Sequence, residues 1–255
     1  MSGAPVIQVQ GLTKAFGDTK VLDGLDLEVR EGETFVLLGT SGSGKTVLMK
    51  HLEGLLKPDA GKVVIDGHDL TTCDAKELQR VRETLGIQFQ AGALFDSMSV
   101  FDNVAFPLRE VGHLQEPEVK QRVLETLALV GLADAAERLP GDLSGGMKKR
   151  AAFARAMVLR PRVLLADEPT AGLDPLLTET VDDAIVAARK ALGVTAFIIT
   201  HDLPTAFRIA DRVGLLHEGK IIEAAPPDAF KASTHPAVKR FLHDWLESEA
   251  AARKL

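Results

Sequence analysis

Two kinds of apolar spacing alternate along this chain. Leu25, Leu27 and Val29 occupy every second position with charged neighbours between them, and Val6 and Val9 begin a shorter stretch of the same kind; both predict strands buried on one face. Phe35-Val36-Leu37-Leu38 is a continuous apolar run stopped by Gly39, as a strand covered on both faces should be. Val163-Leu164-Leu165-Ala166, Ala196-Phe197-Ile198-Ile199 and Val213-Gly214-Leu215-Leu216 repeat that form, and Leu85 to Phe89 reads as a further strand. Helical stretches lie between them, so the pattern predicts an α/β fold with a mostly parallel sheet and crossover helices.

The middle of the chain changes period. From about Ala91 to Leu159 there is no run that reads as a buried strand, while Val119, Val123, Leu127 and Val130 recur at helical spacing opposite Glu118, Lys120, Gln121 and Arg122. A helical lobe inserted into the α/β core is expected. Gly219 marks a late hairpin turn between Leu216 and Ile221. Val238, Phe241, Leu242, Trp245 and Leu246 form a helical stripe behind Pro236, which suits a first helical turn. That stripe can fold back on its own core or dock on a second copy or another subunit, since a large aromatic demands burial either way. Ser248 to Leu255 are expected to fray.

Composition narrows the class. The 255 residues are 45% hydrophobic and 26% charged, enough for a full core. A formal net charge of -6 disfavours a nucleic-acid binder. The single cysteine, Cys73, rules out an intrachain disulfide framework and reads as a loop thiol. The first residues carry no basic stretch followed by an apolar run, so no signal peptide is expected. No segment approaches the roughly 20 apolar residues of a membrane span, so a membrane role would come through a partner.

Chemistry enters at Gly39-Thr40-Ser41-Gly42-Ser43-Gly44-Lys45-Thr46, which fits G-x-x-x-x-G-K-[ST] without deviation. Glycines let the backbone turn tightly and bring its N–H groups onto phosphate oxygens at a helix N-terminus. Lys45 supplies a point charge for the outer phosphates, and the Thr46 hydroxyl is a hard oxygen ligand suited to Mg²⁺. A buried strand precedes the loop, and Val47 to Leu56 can form the helix after it. The run from Val163 to Ala166 delivers Asp167 and Glu168 to a strand end, where a carboxylate is costly unless it faces a cation. Asp167 can join the Mg²⁺ shell, and Glu168 can polarise an attacking water as general base.

Leu143-Ser144-Gly145-Gly146-Met147 opens the helix from Met147 to Leu159 with a second N–H-rich anion site. By itself it is equally a plain helix start. Beside the phosphate loop and the Asp167-Glu168 pair it resembles the signature of the ABC ATPases, and the resemblance runs over nearly the whole chain. It implies a P-loop, RecA-like core with an N-terminal antiparallel β subdomain (1–90 and 160–235), an inserted α-helical subdomain (91–159) and a C-terminal helix and tail (236–255). It implies ATP and Mg²⁺ as ligands, with Val47 also beside the nucleotide. Position by position, Phe16 corresponds to the aromatic on which adenine stacks, where the family usually has tyrosine; a core phenylalanine is the plain alternative. Gln90 corresponds to the glutamine that touches Mg²⁺ and water and reports to the membrane partner, with Gln88 as competitor; the family places it at the strand end, and Gln90 is favoured. Ala171-Gly172-Leu173-Asp174 matches the loop carrying an aspartate, Asp174, between subunits. His201 matches the histidine that reads the γ-phosphate; otherwise it would be a structural strand-end histidine.

The resemblance further implies a head-to-tail homodimer in which the P-loop of one copy and Ser144, Gly145 and Gly146 of the other enclose ATP. The stretches Phe89 to Phe95 and Val100 to Leu108, with methionine ending Leu143 to Met147, are similar to the ATPases of Mla/Mce-type lipid transporters. That similarity implies integral-membrane permease subunits, an MCE-domain lipid-binding protein, and a peripheral place on the cytoplasmic face of the bacterial inner membrane. Leu94, Phe95, Val104 and Phe106 in those stretches equally suit packing of the helical lobe. A non-transport ABC ATPase and an importer subunit for another substrate are the alternatives. A P-loop small-molecule kinase would have no use for Gln90, the Ser144 cradle and His201 together.

Overall fold

The computed structural model describes residues 5–112 and 114–252. Two sheets build the core. The first has four strands in the order β2 (Thr19–Arg30), β1 (Pro5–Phe16), β4 (Ala60–Ile65), β5 (His68–Asp69), all antiparallel. The second has six, in the order β10 (Lys220–Ala225), β9 (Arg212–His217), β3 (Thr34–Leu38), β8 (Thr195–Ile199), β7 (Val163–Asp167), β6 (Leu85–Gln88). Its strands are parallel except for the β9–β10 hairpin.

The continuous apolar runs are the central parallel strands, as their pattern predicted, and every residue of β3 and β8 is buried. Successive side chains of a strand point to opposite faces. Accordingly Val36 and Leu38 join one hydrophobic cluster while Phe35 and Leu37 join the other. Phe35 lies parallel to Phe197 with ring centroids 6.0 Å apart. Gly214 leaves room for it, since a Cβ there would sit 2.6 Å from Phe35 Cζ.

The lobe expected between Ala91 and Leu159 contains α3 (Val100–Val111), α4 (Glu116–Leu129) and α5 (Gly145–Met157), and no strand among its described residues. Ser99 caps α3 by accepting from the Asp102 N–H. Fully buried Asn103 then accepts from the Phe95 N–H at 2.8 Å and donates to the carbonyls of Phe95, Met98 and Ser99. One amide thus holds the loop before α3, and an apolar residue there would take this partner from the Phe95 N–H and the Met98 carbonyl. Elsewhere α1 (Lys45–Leu52) follows β3, α2 (Ala75–Glu83) precedes β6, and α6 (Pro175–Leu192) joins β7 to β8. Then α7 (Leu203–Ile209) joins β8 to β9, with α8 (Pro227–Lys231) and α9 (Pro236–Ala252) after the hairpin.

Three expectations need correction. The strand of Leu85 ends at Gln88 rather than Phe89: the Gly92 N–H donates to the Phe89 carbonyl at 2.8 Å, and this turn takes the chain out of the sheet. Ser248 to Ala252 continue α9 instead of fraying; residues 253–255 lie outside the described part. Leu246 is 61% exposed, off the stripe through which Val238, Phe241, Leu242 and Trp245 pack against the chain's own core. The C-terminal helix therefore folds back, with its core contact reaching Trp245 while Leu246 faces away.

Candidate functional site

Three loops at the C-terminal ends of parallel strands carry the chemistry, the position where open α/β sheets bind ligands. The first follows β3. Gly39 must be glycine because a Cβ would meet Ser43 Oγ at 2.6 Å and the Leu216 carbonyl at 2.8 Å. Gly44, at φ 105°, is the N-cap of α1 and offers no side chain to its first-turn N–H groups. Ser43 Oγ is buried with no hydrogen-bond partner among the described residues. Unpartnered amides and a buried hydroxyl around one loop suit a phosphate, so the residues present fit a nucleotide. Lys45 Nζ donates to the carbonyls of Gly39 and Thr40 at 2.8 and 2.9 Å. Burial pulls its pKa down, against the opposing charges of Glu168 and Asp167. Thr40, Ser41, Gly42 and Thr46 are exposed, and Val47 is half-buried. Phe16, at the end of β1, is 51% exposed with Lys14 Nζ 5.6 Å from its ring centre. That removes the core alternative for Phe16.

The second loop follows β7. Burial raises the pKa of Asp167, the adjacent Glu168 charge adds to it, and Lys45 opposes. A cation here would relieve that cost, and a carboxylate oxygen such as that of Asp167 is a donor type that fits Mg²⁺, as is the Thr46 hydroxyl. Glu168 has φ 48°, a left-handed conformation uncommon outside glycine. Its N–H donates to the Ile199 carbonyl at 2.9 Å. Its carboxylate accepts from Thr200 Oγ1 at 3.3 Å and lies 2.9 Å from His201 Nδ1. The third loop, after β8, is thereby joined to the second. The hydrogen bond to Glu168 raises the His201 pKa, with burial opposing it.

The glutamine assignment needs restating. Gln88, not Gln90, is the strand-end residue; it is buried and its Nε2 donates to the Lys149 carbonyl at 3.4 Å. Gln90 sits two residues later in the turn, exposed, lining a cleft with Gly145, Lys148 and the segment Ala171-Gly172-Leu173. Lys149 was not foreseen. Its Nζ donates to the carbonyls of Gln90 and Glu168, so an α5 ammonium joins both loops. Only the register of α5 reveals it, because Lys148 beside it carries the same charge. Thr200, also unforeseen, was signalled only by adjacency to His201.

Ser144 caps α5, accepting from the Met147 N–H at 3.3 Å, and Asp174 caps α6, accepting from the Leu177 N–H at 3.0 Å. Gly145 and Gly146 face Leu173 and Leu177, where a Cβ would come within 3.3 and 3.2 Å. Among the described residues no hydrogen bond joins Ser144, Gly145 or Gly146 to the P-loop, so the helix start at Ser144 and the P-loop are separate features of one chain.

Comparisons with known proteins agree with this geometry. The chain belongs to the ABC transporter family, whose model matches residues 22–171. It is an ATPase cassette of that family, with a P-loop α/β fold. It is 44% identical over 237 residues to the probable ribonucleotide transport ATP-binding protein mkl of Mycobacterium tuberculosis, covering 93% of this chain and 66% of the relative. The chain therefore spans just under two thirds of that protein's length. The methionine import ATP-binding protein MetN of Carboxydothermus hydrogenoformans is 41% identical over 231 residues, 90% of this chain and 68% of MetN. The intermembrane phospholipid transport system ATP-binding protein MlaF of Haemophilus influenzae is 40% identical over 237 residues, 93% of this chain and 90% of MlaF. Among solved structures, the dimeric post-hydrolysis cassette MJ0796 bound to ADP and Pi superposes with a TM-score of 0.77 at 30% identity, over 87% of this chain and 98% of that one. Among the described residues no helix is long and apolar enough to cross a membrane.

Proposed function

We propose that this chain is the motor subunit of an ABC transporter that moves phospholipid or a related lipid across a bacterial envelope, working as a homodimer on the cytoplasmic face of the inner membrane. In each half-site Gly39 to Thr46 holds the triphosphate, with Val47 beside it, and Phe16 offers its exposed ring to the adenine. Thr46 and Asp167, with Gln90, would hold Mg²⁺, which would neutralise charge at the outer phosphates. Glu168 takes a proton from the attacking water, and His201 holds the Glu168 carboxylate in place while facing the γ-phosphate. Ser144, Gly145 and Gly146 of the second copy close over the same phosphate, and Asp174 stands at the junction.

The observation that carries the transport reading is a cleft beside Gln90. Phe89 and Phe95 are 47% and 42% exposed, and with Phe106, Pro107 and Arg155 they line a cavity of about 420 Å³. Exposed aromatics clustered in a concavity favour a partner rather than solvent. Arg155 donates to the carbonyls of Ala93 and Gly92 at 2.7 Å each, so a load on this cleft reaches Gln90 through three residues of chain. The likeness to MlaF over 90% of its length supports phospholipid as cargo, and an MCE-domain protein is the further partner that this reading expects. The likeness to MetN supports an amino-acid importer as the second reading.

The test is purification of the chain from detergent-solubilised membranes of cells expressing its whole operon, with mass spectrometry of co-purifying proteins and lipids. A multispanning permease and an enriched phospholipid are expected. A permease with methionine and no enriched lipid would favour the second reading, and recovery from the soluble fraction alone would overturn both.

A further inference from the structure

Asp182 lies on α6 and is only 1% exposed. Its Oδ1 is buried and has no hydrogen-bond partner among the described residues. Its Oδ2 lies 3.1 Å from the hydroxyl of fully buried Thr205 on α7. The same hydroxyl lies 3.2 Å from Asp202 Oδ2. A threonine hydroxyl has one proton to give. Two ionised carboxylates cannot both receive it fully, so a proton carried by one of the two acids would complete the trio.

The surroundings select Asp182. A charged carboxylate with an unpartnered oxygen in the interior is costly to keep ionised, whereas Asp202 is only half-buried. Burial pushes the Asp182 carboxyl up to about 7; the Thr205 hydrogen bond opposes this, the Asp202 charge adds to it, Arg208 opposes it and Asp183 adds to it. Arg208 itself is drawn outward by Asp183 at 2.9 Å and Glu179 at 3.4 Å. Glu168 and His201 face the same cavity from the loops after β7 and β8, and α9 contributes uncharged Trp245.

What this trio holds matters. The Asp202 N–H donates to Thr200 Oγ1 at 3.1 Å, and Thr200 Oγ1 donates to Glu168 Oε2 at 3.3 Å. A continuous line of contacts thus runs from α6 to the general base, with His201 inside the segment it fixes. We propose that Asp182 is a positioning residue of the hydrolytic centre: as a neutral acid it donates to Thr205, Thr205 donates to Asp202, and the 200–202 loop is held on Glu168. Ionisation of Asp182 breaks the relay and loosens that loop. The proposal rests on Glu168 and His201 being the hydrolytic pair, so its test includes a reading that needs no ATP.

Trp245 is the chain's only tryptophan and lines the same cavity of about 480 Å³. Its emission should titrate with a midpoint near 7 in a His201→Ala background, which removes the other titrating group nearest Glu168. Adding Asp182→Asn, which has the same shape and can donate, should abolish that titration. With ATP, Asp182→Asn should match the unmodified chain at about pH 6 and exceed it several-fold at about pH 8, one unit either side of that midpoint. Thr205→Val should lower kcat about 5-fold at about pH 6 and much less at about pH 8, where the relay is already broken in the unmodified chain, with KM for ATP nearly unchanged. An emission titration that survives Asp182→Asn, one missing from the His201→Ala parent, or Thr205→Val turnover equal to the unmodified chain at about pH 6 would each overturn the proposal. Loss of turnover in the unmodified chain with the emission titration intact would instead overturn the hydrolytic assignment.

Discussion

The Nδ1 atom of His201 stands 2.9 Å from both carboxylate oxygens of Glu168. The Glu168 carboxylate, only 12% exposed, is therefore gripped by a side chain that is itself 69% exposed.

This contact gives a pH prediction. Its hydrogen bond raises the His201 pKa above the ordinary value, so the stabilisation is fully present below that ordinary value and is lost as pH rises through the raised one. Following the His201 ring proton by NMR titration should give a midpoint above 6.5 in the unmodified chain. Glu168→Gln should bring it down toward that value. An unmoved midpoint would mean the pair does not form in solution.

Lys45→Ala should abolish measurable ATP binding, because no other side chain supplies a positive charge inside the loop of Gly39 to Thr46. Equilibrium dialysis with labelled ATP reads this. Thermal stability should fall little, since the lysine's partners are carbonyls of its own loop.

Phe95→Glu should leave ATP affinity of the isolated chain unchanged and abolish recovery of the chain with membranes. Phe95 packs edgewise on Phe106 with centroids 5.0 Å apart, yet 42% of it faces solvent, so the fold tolerates the charge better than a partner would. Melting temperature serves as the control, and co-sedimentation with membranes is the readout.

Ser144→Ala removes the cap of α5 and should cost about 1 kcal/mol in chemical denaturation, the usual worth of such a cap. ATP affinity of the monomer should be unaffected, because Ser144 shares no hydrogen bond with the P-loop.

Much of the core was legible in the chain. Unbroken apolar runs such as Phe35 to Leu38 can only be strands covered on both faces, and the phosphate loop announced itself through residue types that its geometry requires. The strand end at Gln88 was not legible, because the turn that stops it depends on a backbone hydrogen bond between Phe89 and Gly92, two residues with no turn signature before Gly92. Leu246 misled because it shares the helical spacing of Leu242, yet it is exposed while its neighbour Trp245 packs on the core. Lys149 and Asp182 were invisible for a deeper reason: a charged residue on a helix reads as solvated until the neighbouring elements are placed around it.

The central claim is that two separate anion cradles, one at Lys45 and one at Ser144, close on one triphosphate from opposite copies. Sedimentation of the Glu168→Gln protein with and without MgATP tests this most directly, since slowed hydrolysis holds the closed form. The account predicts a dimer that appears only with MgATP and that Ser144→Arg abolishes while ATP affinity persists. A protein that stays monomeric at saturating MgATP, or a dimer indifferent to Ser144→Arg, would contradict it.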